Sequence, residues 1–172
     1  GDFYDRDMIS TTSNNNNVAF SSQANSIIRG NSKLHRSLDP KLWAEEKMIN
    51  THENPIVFAL DDTGSMGDWA YVIYDKLPMF YGQIKMQDYL QDPSVSFCAI
   101  GDHNCCTAPL QVSEFGAGIE LDQMISKLYL EGTGGGNEHE SYEMAAYFYL
   151  NRVDLGKSKY PFFFVTGDEG YF

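Results

Sequence analysis

Three oxygen-bearing side chains, Asp61, Thr63 and Ser65, alternate within residues 55–68, PIVFALDDTGSMGD. One carboxylate and two hydroxyls are hard donors, suited to Mg²⁺ or Mn²⁺. Two other acidic stretches could join them. Residues 131–140, EGTGGGNEHE, carry Glu138, His139 and Glu140, and residues 166–170, TGDEG, carry Asp168 and Glu169. A glycine-rich loop before a helix can cradle phosphate, but no Gly-Lys-Ser/Thr follows this one and its side chains are acidic. His103, Cys105 and Cys106 lack the two-residue spacing and the second ligand pair of a zinc corner, and read as residues near a strand turn.

These residues need elements to hold them. Residues 55–60 are a short apolar run with β-branched and aromatic members, which predicts a buried strand. Buried strands flanked by helices belong to parallel sheets, and ligands bind at their carboxyl ends, where Asp61, Thr63 and Ser65 fall. Asp68 is placed to cap a helix with apolar residues at 69, 72, 73, 77, 80 and 84, kinked or broken near Pro78. Residues 94–100 and 109–115 read as a hairpin around the turn at 101–104, and residues 119–130 as a second helix. The glycine-rich loop opens a third helix, with Tyr142, Ala145, Ala146 and Tyr149 on one face. Residues 160–165, YPFFFV, read as another buried strand with Pro161 near its start.

The composition narrows the setting. Lys and Arg number 12 against 24 Asp and Glu, a net charge of −12. Residues 1–54 hold six basic and seven acidic side chains, and residues 55–172 hold six and 17, so the acidity belongs to the segment carrying the motifs. No basic stripe is offered to nucleic acid. No apolar stretch is long enough to insert in a membrane. Three cysteines, two of them adjacent, make no disulfide framework and point to a reducing, cytoplasmic compartment. Residues 1–54 are expected to form a polar N-terminal arm, Ser- and Asn-rich to about residue 32. It has one short helix over 37–48, with Asp39 and Pro40 as cap and first residue.

FALDDTGSM, ending the first strand, resembles the first metal-binding loop of the von Willebrand factor A family, with its D-x-S/T-x-S motif on Asp61, Thr63 and Ser65. The resemblance extends over residues 54–172. GGGNEHE is similar to a GGGD-x-P-E variant of the family's second loop, with Asn137 for Asp, His139 for Pro and Glu140 on the glutamate. TGDEG resembles the third loop, usually T-D-G, with a glycine inserted, which leaves Asp168 or Glu169 as the ligand. The resemblance implies an α/β fold with a doubly wound, Rossmann-like, mostly parallel sheet and an antiparallel edge strand. It also implies that the fold is incomplete at the C-terminus. A competing D-T-G-S reading of residues 62–65 as an aspartic protease lacks the second copy that chemistry needs, and sits before a helix where that fold is β-rich.

The implied function is divalent-metal-dependent protein recognition, non-enzymatic, at a metal-ion-dependent adhesion site. Asp61, Thr63, Ser65, Glu140 and Asp168 would hold Mg²⁺ or Mn²⁺, and a partner's Asp or Glu carboxylate would complete the shell. Hydroxyl ligands leave the cation electrophilic, whereas Glu140 would weaken its attraction for another carboxylate. Asp62 reads as structural, bonded to loop amides. The alternatives are a structural subunit without a working metal site and a metal-assisted hydrolase, for which the motif loops offer only His139 as a base. Replacing Asp61 or Ser65 is expected to abolish metal binding and leave the fold intact, the site being placed outside the core. The apolar strand at 160–165 is expected at an exposed edge, covered by the N-terminal arm, by a second copy or other partner in a larger assembly, or by more of a longer chain.

Overall fold

The computed structural model describes residues 31–104, 106–132, 139–168 and 170–171. The expected arm lies outside these residues over 1–30. The fold is mixed α/β, with mostly parallel strand pairs and three α-helices among the described residues.

Four strands form the main sheet: β2 (Asn54–Asp61), β3 (Pro93–Ile100), β4 (Leu110–Val112) and β7 (Phe162–Thr166), in the order β4-β3-β2-β7. β2 is central and parallel to both neighbours, with Asp61 opposite Ile100 and Leu60 opposite Thr166. Only β4 runs antiparallel, closing the expected hairpin with Cys98 opposite Val112. Four two-residue strands add parallel pairs: β1 (Met48–Ile49) with β6 (Val153–Asp154), and β5 (His139–Glu140) with β8 (Gly170–Tyr171). Such short strands carry no periodicity for a sequence to reveal.

The core lies on both faces of the sheet. On one, Ile56, Leu60, Val95, Phe97 and Ala99 meet Ala70, Tyr74, Leu77 and Ile84 of α1 (Trp69–Met86) and Leu121 and Ile125 of α2 (Glu120–Ile125). On the other, Ala59, Cys98, Ile100 and Val112 meet Ala145 and Phe148 of α3 (Tyr142–Arg152). Burial on both faces is why β2 and β3 read as near-continuous apolar runs. No helix among the described residues is long and apolar enough to cross a membrane.

Several boundaries differ from the sequence-based expectation. α1 is not broken at Pro78 and runs through it as one helix, because the apolar face on either side of the proline is held against the sheet. Asp68 occupies the N-cap position but its side chain makes no capping bond. α2 stops at Ile125, five residues short of the expected 130. The side chain of Gln111 accepts from the backbone N–H of Tyr129 at 2.9 Å and donates to its carbonyl, while Asn31 donates to the carbonyls of Ser126 and Leu128 at 2.8 and 2.7 Å. Backbone groups that would continue the helix are taken by side chains from elsewhere, and Leu128 and Leu130 enter the core from the irregular segment that follows the turn. In α3 the buried residues are Ala145 and Phe148, and Ala146 is exposed. The expected helix over 37–48 is two 3-10 turns, Arg36–Leu38 and Pro40–Trp43, parted by an extended Asp39 ahead of its proline. Asp39 does cap the second turn, accepting from the Lys41 N–H at 3.0 Å.

Candidate metal centre

Asp61 is the last residue of β2 and is fully buried. Its Oδ1 accepts from the Thr63 N–H at 2.8 Å and from the Thr63 hydroxyl at 2.6 Å, and its Oδ2 accepts from the Tyr142 hydroxyl at 2.6 Å. The two short O–H···O contacts are of the charge-assisted kind. The chain then makes a 3-10 turn, Gly64–Met66, with Thr63 at its N-cap position and no side-chain capping bond, so the Thr63 hydroxyl is left to Asp61. Gly67 ends the turn at φ +52°, ψ −126°, a backbone conformation that side chains with a Cβ rarely adopt, and redirects the chain into α1.

The outer half of the cluster opens to solvent. Ser65 is exposed and its hydroxyl donates to Asp168 Oδ1 at 3.0 Å, while its oxygen lies 3.1 Å from the Thr63 hydroxyl oxygen. Asp61, Thr63, Ser65 and Asp168 thus form one chain of oxygens linked by contacts of 2.6, 3.1 and 3.0 Å. With the Thr63 proton given to Asp61 and the Ser65 proton to Asp168, the contact between the two hydroxyl oxygens has no proton of its own. Either hydroxyl can instead donate across that contact, which then leaves one of the carboxylate contacts without a proton; a cation would relieve the shortage. The donor set is all oxygen, as hard divalent ions require. One residue before Gly167, the buried Thr166 hydroxyl oxygen also has no hydrogen-bond partner among the described residues.

Tyr142, at the start of α3, joins the loops. Besides bonding Asp61, it lies against Gly167, where an added Cβ would sit 2.1 Å from the Tyr142 hydroxyl oxygen. Glycine at 167 therefore has a local cause: the chain passes close to the Tyr142 ring as it brings Asp168 to Ser65. Tyr142 packs against the core beside Ala145 and Phe148, as its helix face leads one to expect; its bond to Asp61 has no sequence signal beyond its place in the first turn after the glycine-rich loop.

Asp62 plays the structural role expected of it. Its Oδ2 accepts from the Glu131 N–H at 2.9 Å, and the Glu131 carboxylate in turn accepts from the N–H groups of Thr107 and Ala108 at 3.0 and 3.1 Å. Burial pushes the Asp62 pKa up to about 8, opposed by the Glu131 amide and reinforced by the Glu131 carboxylate. Unfolded, this group ionises near the usual value of about 3.9, so between roughly pH 4 and 8 the folded state holds a proton that the unfolded state has lost. Stability should therefore fall as pH rises through this window. In EDTA, the urea midpoint is expected to drop from pH 5 to pH 8, and Asp62→Asn to flatten the slope; an unchanged slope would remove Asp62 as its source.

Of the expected ligands, Asp61, Thr63, Ser65 and Asp168 come together. Glu140 lies in β5, where its backbone pairs with Tyr171 of β8; its side chain lies outside the described part. The side chain of His139 and residues Asn137, Glu138 and Glu169 are outside it as well, as is Cys105 of the zinc corner. Among the described residues, no three His, Cys, Asp or Glu side chains gather as a metal-holding group. The centre above has two carboxylates and two hydroxyls. His103 Nδ1 stands 2.9 Å from Ser141 Oγ and 3.9 Å from Asp102 Oδ1. One ring nitrogen faces both groups, whereas a Ser-His-Asp relay uses two. A groove of about 570 Å³ between Leu110, Met144 and Phe148 shares no residue with the centre. Compared with family models, curated proteins and solved structures, the chain matches none.

Proposed function

We propose that Asp61, Thr63, Ser65 and Asp168 hold a divalent cation, Mg²⁺ or Mn²⁺, and that the chain recognises a protein partner through an Asp or Glu carboxylate that completes the shell. The observation that carries this reading is the proton shortage between the Thr63 and Ser65 hydroxyls beside two carboxylates. When bound, the ion supplies positive charge that bridges the centre to an incoming carboxylate. The residues divide the work by burial: Asp61 and Thr63 are fixed in the core, and Ser65 and Asp168 face solvent, where a partner can approach.

A place in the von Willebrand factor A family, with a doubly wound, Rossmann-like sheet, is supported by three features. The D-x-T-x-S stretch follows the central strand, β3 and β7 flank β2 on opposite sides, and Asp168 returns to Ser65 from the end of β7. Strand order that reverses about β2 leaves a crevice at its carboxyl end, where α/β sheets bind ligands. One observation favours the second reading, a structural domain without a metal: the Tyr142 hydroxyl already satisfies Asp61 Oδ2. A test that separates them uses Mn²⁺ and water relaxation. Bound Mn²⁺ with an open position should enhance proton relaxation, and a short peptide with an accessible Asp should quench that enhancement, its Asn counterpart having no effect. Equal effects of the two peptides would remove the carboxylate from the account.

A further inference from the structure

We propose that Tyr142 tunes the centre: through its bond to Asp61 it holds negative charge back from the cation and so keeps the cation's attraction for a partner's carboxylate. The inference rests on the metal-dependent reading above. Asp61 is wholly buried, so its charge reaches the exposed end of the centre through Thr63. The Thr63 hydroxyl donates to Asp61 Oδ1 at 2.6 Å, and its oxygen lies 3.1 Å from that of Ser65. The other carboxylate oxygen, Oδ2, accepts from the Tyr142 hydroxyl at 2.6 Å. Both contacts to Asp61 have the length of charge-assisted O–H···O bonds. Tyr142, Asp61 and Thr63 thus form one line in which each bond polarises the next.

Without the tyrosine proton, Oδ1 would draw harder on the Thr63 proton and leave the Thr63 oxygen more negative. A more negative donor set binds a divalent ion more tightly and cancels more of its charge. Such an ion attracts an incoming carboxylate less. With the proton in place the balance runs the other way: the ion is held less tightly and the partner more tightly. The residue type suits this task. A lysine or arginine beside Oδ2 would set a full positive charge against the ion, and a phenylalanine would leave the carboxylate's charge whole. A phenol hydroxyl shares a proton without adding a charge.

The bond is built into the fold. Tyr142 opens α3 behind the buried Ser141 and packs on the core beside Ala145 and Phe148. Its ring lies against the third loop at Gly167, where an added Cβ would run into the hydroxyl and the ring. The hydroxyl cannot turn away from Asp61 unless that loop moves, and Asp168 on the loop accepts from Ser65 at 3.0 Å. The same bond counts for a metal-free domain if it only satisfies Asp61, and the two roles differ in sign. Loss of a bond that only stabilises would weaken ion and partner together. Loss of a bond that tunes charge moves them in opposite directions.

The test compares the wild-type chain with Tyr142→Phe, which removes the hydroxyl and keeps the ring. Mn²⁺ binding is measured by calorimetry. Acetate, as the carboxylate probe, is then titrated into each Mn²⁺-saturated protein while water proton relaxation is followed. The expected result is Mn²⁺ bound about threefold or more tightly by the variant, with about threefold or more acetate needed to quench the relaxation. Both constants weakened together, or neither changed, overturns the inference and leaves the metal site standing. A wild type that binds no Mn²⁺ overturns the metal site and this inference with it. Should Tyr142→Phe fail to fold, the Tyr142 hydroxyl proton of the wild type decides by NMR. Its persistence when Mg²⁺ binds is the expected result, and its loss on binding overturns the inference.

Discussion

Replacing Asp61 with alanine is expected to remove divalent-ion binding and to destabilise the fold by several kcal/mol. Asp61 has no solvent exposure and accepts from three donors, the Thr63 N–H, the Thr63 hydroxyl and the Tyr142 hydroxyl. Each buried donor left without an acceptor costs about 1–3 kcal/mol, against a total stability of about 5–15 kcal/mol for a domain. For Asp61, though not for the exposed Ser65, this corrects the expectation of a place outside the core. Asp61→Asn keeps one acceptor oxygen for Thr63 and should cost clearly less. Urea unfolding of the two variants in EDTA measures the difference; an alanine variant as stable as wild type would mean that the three bonds do not form in solution.

Gly167→Ala should have the next largest effect. The added Cβ would stand 2.1 Å from Oη, 2.4 Å from Cζ and 2.9 Å from Cε1 of Tyr142. Tyr142 cannot swing aside and keep its 2.6 Å bond to Asp61, so either the ring or the third loop must move. Overpacking of this kind costs about 1–3 kcal/mol. Moving the loop would carry Asp168 away from Ser65 and weaken ion binding as well. Tyr142→Ala should relieve the clash, so the double variant is expected to lose less stability than the two single losses together. Additive losses would show that the ring and the glycine are not in contact.

Much of the centre was legible because its chemistry sits in local sequence. The alternation of Asp61, Thr63 and Ser65 after an apolar run states both the donors and the strand end that carries them. Past the second apolar run the sequence offered Asp168 or Glu169 without choosing; Asp168 is the one that meets Ser65, and Glu169 lies outside the described residues. What escaped depends on contacts distant in sequence. Tyr142 reads as one more aromatic until Gly167, 25 residues on, is seen against its ring. The early end of α2 is set by Gln111 and Asn31, which take its backbone partners from outside the helix, and no local pattern records that. The exposed state of β7 was legible in another way: three phenylalanines and a valine in a row announce an interior strand, and among the described residues it stands at the edge of the sheet.

The central claim, that this oxygen cluster binds a hard divalent ion, is tested most directly by calorimetric titration of Mn²⁺ into the wild-type chain and into Ser65→Ala. Ser65 is exposed, so the variant should fold as wild type does by circular dichroism, which separates ligand loss from unfolding. The account predicts saturable binding of one Mn²⁺ per chain in the wild type, with Ser65→Ala weakened about tenfold or more. Absence of binding in the folded wild type, or equal binding by the two proteins, would contradict it.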